Sequence, residues 1–183
     1  MAKRYILTGA PGSGKTSIAL GLRRRGYAVV DEAVTDLIAT AQAAGADEPW
    51  LGGAFVDDVV ALQRRRRLAP VAEEVAVQVF DRSPLCTLAL ARYLDLPVTP
   101  LLAAEVTRMV RDQVYETTVF LICPLGFIEP TAARRISYAD ALQFEAVHEA
   151  VYREHGYQLI DIAAAPIDQR VAAVEQHLAG DAN

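Results

Sequence analysis

Apolar positions along the chain follow two periods in turn. Short apolar runs lie at Tyr5 to Leu7, Tyr27 to Val30 (YAVV), Val75 to Phe80 (VAVQVF), Thr118 to Cys123 (TVFLIC) and Gln158 to Ile162 (QLIDI). Rich in β-branched and aromatic residues and bounded by Gly, Pro or acidic positions, they predict five strands. Between them the spacing widens to three and four. Thr16 to Arg25 puts Ile18, Ala19 and Leu22 on one helical face and stops at Gly26, and Ala33 to Ala44 reads as a second helix. A third runs from Phe55 to Leu68 and ends before Pro70, and Pro84 opens a fourth from about Leu85 to Leu94. Thr99 caps a fifth with Pro100 at its first position, running to about Glu116. Ser137, with Asp140 three residues on, predicts the start of a sixth that reaches Gly156, and Ile167, Val171, Val174 and Leu178 mark a closing helix. Strands alternating with helices predict a three-layer α/β fold with a five-stranded parallel sheet, whose ligands bind beyond the carboxyl ends of the strands.

Composition narrows this picture. The 183 residues are the size of one domain, so 1–183 is expected to form a single unit, and no repeat or linker interrupts it. Apolar residues are 52% of the chain but scattered: the longest uncharged stretch, Thr117 to Ile128, falls short of the roughly 18 residues a membrane span needs. Lys3 and Arg4 precede too short an apolar run for a secretory signal. Two cysteines, Cys86 and Cys123, are too few for a disulfide framework and are expected to be packing residues in a reduced, cytoplasmic compartment. A net charge of −5 argues against nucleic acid as a partner. Arg64 to Arg67 reads as a solvated helix end, and His148 and His155, seven apart on one helix, lack a third ligand at metal-binding spacing.

Candidate chemistry begins at the first strand end. Gly9 to Thr16 reads GAPGSGKT and fits G-x-x-x-x-G-K-[ST] at every fixed position, between a strand and a helix. Backbone N–H groups of such a turn converge on an anion, and the helix N-terminus adds its positive end. Gly9, Ala10, Pro11, Gly12, Ser13, Gly14, Lys15 and Thr16, with Ser17 in the next turn, are therefore the expected polyphosphate site. Lys15 would bridge the β- and γ-phosphates, and the Thr16 hydroxyl would ligate Mg²⁺. Asp31 and Glu32 end the second strand; Asp81 and Arg82 end the third. Asp81 reads either as the acid that orients Mg²⁺ opposite Thr16 or as a cap of the next helix, with the metal role preferred.

GAPGSGKT, VVDEA at Val29 to Ala33, FDRS at Phe80 to Ser83 and TAARRIS at Thr131 to Ser137 together give the chain a specific likeness. It resembles, over nearly its whole length, the small bacterial P-loop proteins grouped with the nicotinamide riboside kinase domain of NadR-type regulators. More distantly it is similar to deoxynucleoside kinases and chloramphenicol phosphotransferase. The resemblance implies a P-loop NTPase fold of nucleoside-kinase type. It implies Glu32 as general base, with Asp31 standing where a proline is usual. Asp81, Arg82 and Ser83 match the acid-arginine-serine triplet that serves metal and substrate. Arg134 and Arg135 match an arginine-bearing lid, which places that lid at about 124–136. No residue that reads a nucleobase is identifiable; Gln63 is a weak candidate, with packing the preferred reading. The 183 residues leave no room for the DNA-binding and adenylyl-transfer domains of NadR-type regulators.

The favoured expectation is a phosphotransferase using ATP or GTP with Mg²⁺. Lys15, the metal and the lid arginines would neutralise the transferring group while Glu32 or Asp31 accepts a hydroxyl proton from a nucleoside-like small molecule. The alternative is an NTPase or a nucleotide-controlled binding protein. The identity of the acceptor and the formation of a homodimer stay open.

Overall fold

The computed structural model of the chain describes residues 2–127 and 136–180. Its strands are β1 (Lys3–Thr8), β2 (Ala28–Val30), β3 (Val77–Asp81), β4 (Thr118–Ile122) and β5 (Gln158–Ile162). All four pairings are parallel, in the order β2-β3-β1-β4-β5. Parallel neighbours require crossovers, here α1 (Lys15–Arg24), α2 (Ala33–Ala43), α3 (Phe55–Arg67), α4 (Pro84–Tyr93), α5 (Pro100–Arg111) and α6 (Tyr138–Glu154), with α7 (Ile167–Gly180) after β5. No helix among the described residues is long and apolar enough to cross a membrane.

Because successive strand residues face opposite sides, β1 divides the core in two. Tyr5 and Leu7, with Phe120 and Ile122, pack under Ile18 and Leu22 of α1 and Val171, Val174 and Leu178 of α7. Ile6, Phe80 and Val119 face Val60 of α3, Leu85 of α4, Leu102 and Met109 of α5 and Tyr152 of α6. With helices on both faces the central strands are buried throughout their carboxyl halves, which is why they read as near-continuous apolar runs.

Two boundaries differ from the sequence pattern. Strand β3 begins two residues later than expected, at Val77, and extends to Asp81, so the carboxylate is the last strand residue rather than the first of a loop. Helix α5 stops at Arg111, not near Glu116, because Gln113 takes a left-handed φ of 46° and the Val114 N–H turns back to the Met109 carbonyl. That is a helix-ending turn, and it frees Val114 and Tyr115 to pack in the core instead of continuing the helical stripe.

The switch between strand and phosphate loop rests on Gly9. Its φ is +130°, and a Cβ there would lie 2.6 Å from the Ile122 carbonyl oxygen on the neighbouring strand. Only glycine permits both the conformation and the approach. We expect Gly9→Ala to cost about 3 kcal/mol, from left-handed strain together with displacement of β4, as read from urea denaturation followed by circular dichroism.

Candidate active site

Helix α1 starts on Gly14 at φ 91°, has no side-chain cap and carries no acidic residue in its first turn. Its leading N–H groups are thus left for an external anion. Lys15 occupies the concavity of its own loop: Nζ donates to the carbonyls of Gly9 (3.0 Å) and Ala10 (2.7 Å) and to Ser13 Oγ (3.3 Å). Burial, and then the neighbouring Arg82, bring its pKa down to about 7 against the opposing pull of Asp81 and Glu32.

The loop is braced from behind by two residues of distant helices. Arg170 of α7, only 2% exposed, donates from Nη1 to the Ser13 carbonyl (2.7 Å) and from Nη2 to the Cys123 carbonyl (2.8 Å). Glu145 of α6 accepts the Ala10 N–H at 2.8 Å. Both bonds use loop groups other than the N–H groups of the first helical turn.

Asp81 meets the loop at Thr16, whose Oγ1 donates to Asp81 Oδ2 at 3.0 Å. The other oxygen, Oδ1, is buried and has no hydrogen-bond partner among the described residues. An acceptor-only atom stranded beside a hydroxyl is the donor set of a hard divalent cation, so the pair fits Mg²⁺. Burial and then Glu32 push the Asp81 pKa up to about 6, against Lys15, Arg82 and the Thr16 bond. The competing helix-cap reading does not apply, because Ser83 is the N-cap of α4 and its Oγ accepts the Leu85 N–H.

Arg82 follows in a left-handed conformation, φ 77°, which for a residue with a side chain costs on the order of 1–3 kcal/mol. The turn lets its N–H reach the Leu7 carbonyl at 3.1 Å while its side chain enters the site. Its Nε is paired with Glu32 Oε1. Burial works to raise the Glu32 pKa, but Arg82 and then Lys15 outweigh it and hold the carboxyl below its usual range. Thr35 Oγ1 donates to the second Glu32 oxygen at 2.6 Å.

Pro11, Gly12 and Gly14 to Ser17 open with Glu32 and Arg82 onto a cleft of about 660 Å³. Its remaining walls are mostly apolar, including Ile38, Trp50, Phe55, Leu90, Tyr93 and Phe144. Tyr93 stacks on Phe144 at a centroid distance of 4.7 Å. Asp31 does not line the cleft. Its carboxylate turns to Arg23 at 2.7 Å, because β2 ends one residue earlier and Asp31 and Glu32 then point to opposite sides. Arg134 and Arg135 lie outside the described residues. The arginine run is not simply solvated: Arg66 donates to the carbonyls of Asp31 (2.8 Å) and Glu32 (2.6 Å), and Arg67 is buried 3.7 Å from Glu105. Gln63 packs internally, donating to the Ser83 carbonyl (3.2 Å) and accepting from Thr87 Oγ1 (3.1 Å).

Sequence reasoning passed over Glu145 and Arg170. Each interrupts the apolar stripe of its helix, Glu145 among Ala141, Phe144 and His148, Arg170 beside Val171 and Val174. A charged residue on a face that must be buried is the signal that finds them. Among the described residues no group of His, Cys, Asp and Glu forms a further metal cluster.

The sequence profile described as an AAA domain matches residues 4–170. No protein of curated function matches the chain by sequence. Among solved structures, the NadR protein in complex with NR is 15% identical with a TM-score of 0.72; the match covers 96% of this chain and 49% of that one, so the chain spans about half of NadR. A deoxyadenosine kinase from M. mycoides is 10% identical, TM-score 0.61, covering 97% and 98% of the two chains. The thymidylate kinase from Ehrlichia chaffeensis is 15% identical, TM-score 0.60, covering 97% and 98%. At these identities the shared property is the fold: a P-loop kinase-type α/β domain.

Bracing of the loop is testable by stability alone. Arg170→Met removes the donors to the buried Ser13 carbonyl and the half-buried Cys123 carbonyl and is expected to cost about 2–4 kcal/mol in chemical denaturation. Glu145→Gln keeps an acceptor for the Ala10 N–H and should cost less than about 1 kcal/mol.

Proposed function

The chain belongs to the AAA domain family, and we propose that it is a Mg²⁺-dependent phosphotransferase that passes the γ-phosphoryl group of ATP to a hydroxyl of a small, nucleoside-sized molecule. The observation that carries this reading is the junction of two half-sites. The phosphate loop opens directly onto a walled cleft, and a carboxylate paired with an arginine stands where they meet. A cleft that continues past the phosphate loop between apolar walls leaves room for an acceptor beside the nucleotide, which supports transfer over hydrolysis.

The triphosphate would lie on the free N–H groups of the loop and of the first turn of α1. Lys15 would exchange its carbonyl partners for phosphate oxygens, regaining full charge as it does so. Thr16 and Asp81 would hold Mg²⁺, which when bound neutralises charge on the β- and γ-phosphates. The acceptor oxygen attacks γ-phosphorus in line, the bond to the β,γ-bridging oxygen breaks, and ADP leaves with the electron pair. Glu32 takes the hydroxyl proton. Its low pKa makes it a weak base, which suits a loose transition state in which the proton is lost late. Arg82 keeps Glu32 ionised and adds positive charge beside the transferring group.

The acceptor follows from the walls. The cleft's volume of about 660 Å³ includes the space over the phosphate loop, so the acceptor takes only part of it, and the aromatic walls favour a flat, weakly polar body. Gln63 has both ends of its amide engaged within the protein, so recognition of the acceptor rests on shape and stacking more than on amide pairing to a base.

The deciding experiment is ADP release from Mg·ATP, first alone and then with a panel of nucleosides, nucleotides and hydroxylated antibiotics, with Lys15→Ala as the inactive control. We expect turnover to depend on an acceptor; equal release with and without every acceptor would make the protein a hydrolase or a switch. Separately, Asp81→Asn should raise the Mg²⁺ concentration for half-maximal turnover at least about tenfold while metal-free nucleotide affinity changes far less. Identical magnesium titrations for variant and parent would remove Asp81 from the metal site.

A further inference from the structure

Beneath the site, α6 presents Ala141, Phe144, His148, Val151 and Tyr152 to the core, and His148 is fully buried there. Its ring has two polar neighbours. Nδ1 lies 2.9 Å from the Phe144 carbonyl and Nε2 lies 3.1 Å from Arg82 Nη1. A carbonyl only accepts and a guanidinium only donates, so Nδ1 carries the proton and Nε2 offers a lone pair. One tautomer satisfies both contacts, and it is neutral. Burial, and then Arg82, hold the ring far below the usual histidine range, with Lys15 acting in the same sense and Phe144 and Glu32 against it.

This contact completes a three-point hold on Arg82. The backbone N–H is tied to Leu7, Nε to Glu32 and Nη1 to His148. Two bonds from different nitrogens fix the plane of a rigid guanidinium as well as its position. Nη2 has no hydrogen-bond partner among the described residues, and Arg82 lines the cleft.

We propose that His148 is a positioning residue for phosphoryl transfer, a neutral acceptor that orients the Arg82 guanidinium so that Nη2 meets an oxygen of the transferring group. This rests on the phosphotransferase reading above. A residue that merely filled space beside Phe144, whose ring centroid is 4.3 Å away, could be replaced by any apolar side chain of similar size. A residue that orients Arg82 must present an acceptor at Nε2.

The test separates these roles without knowledge of the acceptor. Mg·ADP with aluminium fluoride imitates a nucleotide whose γ-phosphoryl group is in transfer, and its affinity is compared with that of Mg·ADP alone in the parent, His148→Leu and His148→Gln. We expect His148→Leu to bind Mg·ADP as the parent does but to trap the fluoride complex about tenfold more weakly, the loss of one hydrogen bond to a charged group. His148→Gln, whose amide oxygen can accept from Nη1, should recover most of that loss. A parent that traps well and a His148→Leu variant that traps equally well would overturn the role of His148 alone. A parent that does not trap at all would overturn the transfer reading and this inference with it. Should His148→Leu not fold, the parent decides by itself: long-range ¹H–¹⁵N spectra must show the Nδ1–H tautomer, and either the Nε2–H tautomer or an imidazolium overturns the proposal.

Discussion

A loop that must aim its N–H groups at an anion cannot spend those groups on holding itself. The site answers that constraint by using only the Ala10 and Ser13 N–H groups for its own support and leaving those of the first turn of α1 free of side-chain caps. The loop is fixed through its carbonyls, by Arg170 at Ser13 and by Lys15 at Gly9 and Ala10, and through the Ala10 N–H, taken by Glu145. Glycine at position 9 lets the backbone lie against Ile122 so closely that the loop needs no side chain there to be placed. The cost of an unpaired donor set is deferred to the ligand, which supplies the missing acceptors on arrival.

The same economy governs the charges. Two cations, Lys15 and Arg82, and two carboxylates, Glu32 and Asp81, share a nearly dry volume, yet the carboxylates are driven in opposite directions. Glu32 is in contact with a guanidinium and stays ionised; Asp81 accepts from a hydroxyl through one oxygen, its other oxygen has no partner among the described residues, and it is drawn toward its neutral form. Contact, more than net charge, sets the two acids apart, and on the proposed function it is what would give one the proton and the other the metal. Arg82 can serve Glu32 only because its backbone accepts a left-handed turn, so local strain at β3 is exchanged for order at the centre of the site.

Most of the fold was legible from the chain alone, and for a simple reason. Central strands buried on both faces read as apolar runs, and the helix starts at Thr99 and Ser137 carry caps whose hydroxyls do accept the backbone bonds expected of them, while Ser83 caps α4 where the sequence offers Asp81. What escaped depends on neighbours distant in sequence. Nothing local distinguishes Asp31 from Glu32; a single strand-end register turns one to Arg23 and the other to Arg82. Nor does a run of four arginines announce that Arg66 will brace the carbonyls of the β2 end or that Arg67 will be buried beside Glu105. Nor does the spacing of His148 and His155, which suggests a metal pair lacking its third ligand, reveal that His148 meets Arg82 across 66 positions of sequence.

Arg170 reaches Ser13 across 157 positions of sequence. The loop that begins at the ninth residue is therefore braced by a helix that is made long after it. On a ribosome adding about 5–20 residues each second, those 157 positions take about 8–31 s, during which the phosphate loop lacks this brace. During that interval the loop has its local bonds, from Lys15 to the Gly9 and Ala10 carbonyls, but not the guanidinium that ties Ser13 to the Cys123 carbonyl.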